Sequence, residues 1–567
     1  MPADTTKSFR SLDEDRFVEQ AEYLSSKLLA QLNAQHPDEK AILQKLSGPG
    51  AKLVIGPRGC GKTTLLLRAK SAMLADSSLK SLPVYVNYKV SLRLEPVYAK
   101  RANASFLFKQ WLIAKILIGL HETLEKFNEV SSEELLTHSR STLEELLLLI
   151  EKGDGDSDFE DNLAVSSVEE NARRAISVLG AKRCSLLLDD AAHAFSAQQQ
   201  RDFFELFREL KSQVICPKAA IYPGVTVFPP GFQLGHDAEP IDVWIDPFSK
   251  SYLPFVKDLV KRRVSPKVYS VLEANSALFG LLCYSAFGMP RAILNVIREL
   301  TKGSSDFKFE ARPAYKAISE SYHSNHSVYE SLSLKLPSYA PFIKTGSTAL
   351  RKAAGYIKNY NKGKGSSEQS VTIAIKDDAP AEVIRMFGFY QYAGLVRENG
   401  KVSRGEKGVF LLYRLHIGGL VDTNCLFGRK AVNAEDYVFA LNHQRSHSFT
   451  RVGVDKLLDN IPARLALALA LPDCETCGAS RSSEEAKFCS NCGTPVSPSS
   501  VFNSLVSQPI SKLPLTHHRV KTIRDGSSIR TIKDIFLDID RTTLRGVHMI
   551  GPYWADRIHS YAEEYIS

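Results

Sequence analysis

Residues 56–63 read GPRGCGKT, and no other stretch limits so tightly what this chain can fold into. They match G-x-x-x-x-G-K-[ST] and lie between a short apolar run, Lys52–Ile55, and a helical stretch, Lys62–Ala75. Strand, glycine turn and helix in that order make a phosphate cradle. Glycines let backbone N–H groups curl around an anion. The helix that follows aims its positive end at the same charge. The expected nucleotide-binding residues are Gly56, Pro57, Arg58, Gly59, Cys60, Gly61, Lys62, Thr63 and Thr64. Lys62 is a point charge for the β- and γ-phosphates, and Thr63 offers a hydroxyl to Mg²⁺. The expected ligand is ATP or another nucleoside triphosphate.

Such a loop needs a carboxylate at the end of a neighbouring buried strand to position the metal. Residues 185–190 read SLLLDD and supply it. Asp189 is the expected magnesium-side acid. Asp190 stands where a residue would polarise the attacking water. The competing reading is that one of the two only caps the next helix.

Strand-like runs at 52–55, 83–90, 185–188 and 219–222 alternate with helical stretches at 62–75, 104–150, 167–179 and 198–213. That alternation predicts an α/β core on a parallel sheet. Residues 252–300 read as helical throughout, and 153–161 as an acidic surface loop. The chain has 567 residues, and at ~150 residues per domain it holds about three or four domains. The expected divisions are an N-terminal helical segment at 1–45, the core at 46–250 and a helical lid at 251–335. After these come a small domain at 336–432, a helical connector at 433–472, a cysteine module at 473–496, a linker at 497–511 and a helical ending at 512–567.

The loop, the Asp189-Asp190 strand end and residues 288–291, GMPR, together resemble AAA+ ATPases of the origin-recognition (replication-initiator) branch and the related STAND switch ATPases. The resemblance covers residues 35–300 and extends toward 430. It implies a helical lid opened by the GMPR sequence, with Arg291 as the sensor that reaches the γ-phosphate. Arginine suits that task because its planar fork stays charged and grips phosphate oxygens. Catalytic candidates are therefore Lys62, Asp189, Asp190 and Arg291. The family more often carries glutamate where this chain has Asp190, which implies slow hydrolysis. At the first sensor position Thr226 is the candidate and Tyr222 its competitor.

In the small domain, a strand at 371–375 and a helix at 381–397 precede two alternating segments near 401–402 and 409–415. A helix followed by a hairpin is the outline of a winged helix, with Lys401, Arg404 and Lys407 on the wing. The alternative is a small α+β domain with a solvated turn. Arg404 and Lys407 are DNA-contact candidates.

Nine cysteines are present, and four of them form two C-x-x-C knuckles separated by eleven residues. Cys474, Cys477, Cys489 and Cys492 match a tetrahedral structural Zn²⁺ site. The segment resembles small zinc ribbons. Five further cysteines are scattered singly, which suits a reducing compartment better than a disulfide framework.

Residues 529–566 resemble a helix-hairpin-helix unit like that of the RNA polymerase alpha C-terminal domain. The matching features are TIKD at 531–534, a hairpin at 547–551, and Ala555 and Ile558 beyond it. Arg545, His548, Gly551 and Arg557 are the phosphate-contact candidates this implies. His548 stands where a glycine is usual, and Pro552 and Trp554 add bulk. A protein-docking module anchored by Trp554 is the competing reading.

A net charge of +9 permits an acidic partner without requiring one. No run reaches the ~18 apolar residues of a membrane span, and the acidic N-terminus lacks a secretory core, so a cytoplasmic protein is expected. Two functions stand. One is a DNA-associated AAA+ ATPase on duplex DNA. The other is a STAND-type signalling ATPase, for example in antiphage defence, whose C-terminal modules bind a protein. A protein effector, an RNA polymerase-like partner and a homo-oligomer belong to these readings. No nuclease cluster or hydrolase triad is visible in the sequence.

Overall fold

The computed structural model describes residues 21–89, 94, 103–127, 130–152, 163–190, 196–301, 307–428, 432–471, 473–474, 476–481, 486, 488–494, 501–513, 515 and 517–566. Five parallel strands form the first sheet: β1 (Lys52–Ile55), β2 (Ser81–Asn87), β3 (Arg183–Asp189), β4 (Ile215–Ile221) and β5 (Glu239–Asp242). Their order is β2-β3-β4-β1-β5, with every pairing parallel. Successive residues alternate between faces. Val54, Leu187 and Ala220 pack with α1 (Lys62–Ala75) and with Ile42 and Leu46 of helix Glu39–Ser47. Leu53, Leu186, Leu188 and Ala219 face the opposite layer. That layer holds α2 (Ala104–Leu124), α3 (Val165–Leu179) and α4 (Ala197–Glu209), and Trp111, Phe203, Phe204 and Phe207 fill it. With both faces covered, every residue of β4 is buried, Lys218 included. Its ammonium caps the Gly48 and Gly50 carbonyls.

Several details differ from the sequence expectations. The strand carrying Asp189 is not beside β1, because β4 lies between them. β5 was not foreseen. It is a four-residue edge strand with an alternating EPID sequence and no apolar run. Among the described residues the stretch 104–150 holds three helices rather than one, Ala104–Leu124, Ser132–Leu135 and Arg140–Lys152. The stretch 252–300 is four, and two of them begin at Pro266 and Pro290, where a proline has no amide to lose. Residues 153–162 lie outside the described residues, as do residues 1–20 and Val90.

The helices of 252–301 and those beyond share one continuous apolar core with a second sheet. α5 (Pro290–Thr301) and α6 (Ala311–Lys335) lead through Ala340–Asn361 into β6 (Thr372–Lys376), α7 (Ala381–Tyr392), β7 (Val396–Ser403) and β8 (Val409–Leu415). β7 and β8 form an antiparallel hairpin, and β6 pairs with β8. β9 (Thr450–Arg451) extends β6 in parallel from within the stretch expected to be a helical connector. The helix expected to run to residue 397 stops at Tyr392. Gly394 takes a left-handed φ of 71°, which turns the chain so that Arg397 enters β7 opposite Arg414.

At the C-terminus a separate small core gathers Leu505, Ile510, Ile523, Ile532, Leu544, Ile558 and Ile566. Part of the expected linker is therefore structured. Helix Val501–Val506 supplies Leu505 and Val506 to this core and packs against α6. The module ends in α8 (Pro552–Ile566).

Candidate functional site

All five strands of the first sheet point one way, so β1, β3 and β4 deliver their C-terminal ends to one edge, where ligands of parallel α/β sheets collect. The loop after β1 turns through Gly59 and Gly61, at φ 85° and 99°. Any other residue would strain there. The loop is tight: a Cβ on Gly56 would come within 2.5 Å of the Cys60 sulfur. Lys62 is buried and folds back on its own loop, donating to the Gly56 and Pro57 carbonyls at 2.8 and 3.0 Å. Its ammonium also sits 3.8 Å from the centre of the Tyr222 ring. Burial lowers the Lys62 pKa, and Cys60, Asp190 and Asp189 oppose that shift.

Asp189 ends β3 fully buried. It accepts a hydrogen bond from the Tyr85 hydroxyl at 2.9 Å and another from the Asp190 amide. Burial pushes its pKa up, Asp190 adds to the rise, and a hydrogen bond with the Thr63 side chain pulls against it. Asp190 adopts a left-handed φ of 50° and accepts from the Tyr222 hydroxyl at 2.8 Å. Tyr222, at the end of β4, thus touches both the lysine and the second aspartate. Thr226 does not reach them. Its hydroxyl bonds back to the Tyr222 carbonyl.

The GMPR sequence brings α5 onto the loop. Gly288 takes φ 79°, and a Cβ there would lie 2.2 Å from the Ile245 carbonyl oxygen. The Arg291 amide donates to the Gly59 carbonyl at 3.3 Å, and the Arg291 side chain lies directly over Gly59. The small domain closes the other side. The Arg58 amide donates to the Tyr392 carbonyl at 3.4 Å. The backbones of Gly224 and Gly388 approach so closely that a Cβ on Gly224 would lie 2.1 Å from the Gly388 carbonyl carbon.

The resulting open cleft is lined by Arg58, Gly59, Gly61, Lys62, Thr63 and Thr64 on the loop, with Asp190, Tyr222 and Arg291 across from them. It extends toward Asn33 and Arg263, which hydrogen-bond each other at 2.9 Å. Glu564, from the last turn of α8, also lines it. Sequence reasoning missed the roles of Tyr85, Asn33, Arg263 and Glu564. No local motif marks them, and Glu564 lies 506 residues from its partner Arg58.

The four knuckle cysteines come together, all sulfurs lying within 4.8 Å of one another. Cys474–Cys492 and Cys477–Cys489 are 3.5 and 3.6 Å apart. Tetrahedral thiolates about 2.3 Å from one ion would be spaced by about 3.8 Å, so the set fits a metal. The two knuckles share one backbone pattern. Gly478 and Gly493 are left-handed, and their amides return to the Cys474 and Cys489 carbonyls.

The basic candidates elsewhere belong to two different parts of the chain, the β7–β8 turn and the C-terminal module. The Arg404 guanidinium stacks 5.1 Å from the Phe449 ring, and Lys407 falls in the turn Gly405–Lys407. The neighbouring Lys401 is paired with Asp377. In the C-terminal module, His548 and Gly551 are exposed on the turn before α8. A Cβ on Gly551 would meet nothing within 4 Å, and Met549 is the left-handed residue of the turn instead. Arg545 faces Asp556, and Arg557 donates to the Tyr561 hydroxyl. Trp554 is half-buried beneath Arg519.

No family model and no curated protein matches the chain. Among solved structures, the crystal structure of Cdc6p from Pyrobaculum aerophilum is similar to it at 12% identity, covering 71% of this chain and 98% of that one, with a TM-score of 0.30. No helix among the described residues is long and apolar enough to cross a membrane.

Proposed function

We propose that the chain is an ATP-binding and ATP-hydrolysing P-loop switch of the AAA+ type that acts on duplex DNA. The observation that carries the nucleotide part of this is the convergence of Lys62, Thr63, Asp190 and Arg291 on one cleft from three separate elements, with Asp189 beside Thr63. In this reading the amides of residues 57–63 and the start of α1 hold the phosphates. Lys62 leaves its two loop carbonyls for the β- and γ-phosphates. Arg291 and Arg58 bring guanidinium forks to the terminal phosphate.

The Thr63 hydroxyl and the Asp189 carboxylate are hard oxygen donors, the kind Mg²⁺ prefers. When bound, the ion neutralises charge on the β- and γ-oxygens. Asp190 would orient water for attack. Its carboxylate is already aimed by the Tyr222 hydroxyl, so Tyr222 takes the first sensor position. The Cys₄ cluster holds one structural Zn²⁺, because all four positions are protein ligands. The hairpin β7–β8 with α7 forms a winged-helix-like module, and Arg404, Lys407, Arg545, His548, Gly551 and Arg557 are the candidate DNA contacts.

A second reading is a signalling switch of the STAND type whose C-terminal module binds a protein. The contact of Glu564 with Arg291 favours it, since it ties that module to the phosphate loop.

Titration of Lys62→Ala with a fluorescent ATP analogue and Mg²⁺ tests the site. Loss of a charge-assisted contact of about 1.5–3 kcal/mol weakens binding about 10- to 100-fold. Unchanged affinity would remove the assignment.

A further inference from the structure

The end of α8 reaches into the phosphate cleft. The Arg58 guanidinium donates to the Glu564 carbonyl oxygen at 3.2 Å and lies 3.9 Å from its carboxylate. Arg291 donates to the same carboxylate at 3.3 Å. The Glu564 side chain is only 21% exposed, and the two arginines are 19% and 29% exposed. Lys335, buried at the end of α6, also feels the Glu564 charge. The last turn of a helix carries exposed carbonyls and a partial negative charge. Carboxylate and helix end together therefore present an anion to the two guanidinium groups that flank the phosphate loop.

We propose that α8 is a built-in competitor of the nucleotide's terminal phosphate. Glu564 holds Arg58 and Arg291 when the C-terminal module is docked, so nucleoside triphosphate binding and undocking of the module drive one another. This rests on the nucleotide reading given above. The physical reason is that two anions cannot share the same two guanidinium groups at close range without strong repulsion. The coupling is reciprocal by thermodynamic necessity. A partner that pulls residues 501–566 away from the core tightens ATP binding, and ATP frees the module for that partner. The Cys₄ knuckles lie in the chain between the two, so they would move with the released module or anchor its root.

The test uses the full chain. Wild type and Glu564→Gln are titrated with a fluorescent ATP analogue in Mg²⁺. Glutamine keeps the shape and removes the charge, so the variant should bind about tenfold more tightly, within the ~5- to 150-fold range of coupled sites. Equal affinity overturns the proposal and leaves the nucleotide site standing. Weaker affinity also overturns it, because Glu564 would then position the arginines for nucleotide rather than withhold them. Failure of both proteins to bind ATP overturns the nucleotide reading and the proposal together. Should the variant not fold, hydrogen exchange on wild type decides. Faster exchange across Pro552–Ile566 on adding a non-hydrolysable ATP analogue supports the competitor, and unchanged exchange overturns it.

Discussion

His416 is 2% exposed at the start of helix Ile417–Asp422, where its Nδ1 accepts from the Gly419 amide. Its ring sits among Phe287 and Tyr322, with Asn325 at Nε2. Burial pushes its pKa down to about 3. Below the ordinary value of 6.5 the unfolded chain takes up a proton that the folded chain refuses. Stability should therefore fall by about 1.4 kcal/mol per pH unit from this group as pH drops from 6.5 toward the folded value. Urea unfolding of wild type and His416→Asn between pH 7 and 5 checks it. Asparagine keeps a capping oxygen, so the variant should lose that part of the slope, and parallel slopes would refute the assignment. Nothing in the sequence marks His416, because its environment comes from chain segments 91 residues apart. Lys62, Thr63 and Asp189 are different. Each sits at a fixed place in a short pattern, so spacing alone brings them to attention. Tyr222 is one of two candidates the sequence offers, and the two side chains lie differently: the Tyr222 hydroxyl meets Asp190 and its ring meets Lys62, whereas the Thr226 hydroxyl bonds back to the Tyr222 carbonyl.

The paired cysteine knuckles are the element most fully readable in advance, since two C-x-x-C turns with glycine after each leave little conformational choice. Metal analysis of gently purified protein should find about one zinc per chain. Chelation should then release that zinc and raise hydrogen exchange across residues 473–494 while the P-loop sheet stays protected. A metal-free preparation with the same protection would argue against the site. Other elements were read less well for identifiable reasons. β5 has too few residues and too little apolar pattern to stand out. The helix ending at Tyr392 looked longer because apolar residues continue beyond it, whereas Gly394 in the left-handed region turns the chain. Residues 501–506 looked like linker because serine and proline surround them. They are helical because Leu505 and Val506 have a core to enter.

Across the whole molecule, four parts surround the phosphate loop and leave an open cleft: the parallel sheet, the helices of 252–301, the small domain and the C-terminal module. The α/β class was legible from alternation, but this arrangement was not, since it depends on contacts hundreds of residues apart. With a net charge of +9, duplex DNA should bind more tightly with ATP than without, and affinity should fall steeply between 50 and 200 mM salt, by ~10³-fold or more if about six phosphates are contacted. Arg404→Ala and Arg545→Ala should each flatten the salt slope by about one. No binding at low salt in either nucleotide state would move the reading to the signalling switch and a protein partner. The close approach of Gly224 and Gly388 bears on how such a chain can be altered. One glycine lies in the turn after β4 and the other in α7 of the small domain, and neither tolerates a side chain unless the two backbones separate. The two parts are therefore not interchangeable cassettes. A chimera that imports a foreign small domain must bring a glycine to that position, or the graft will pry open the loop it was meant to leave intact.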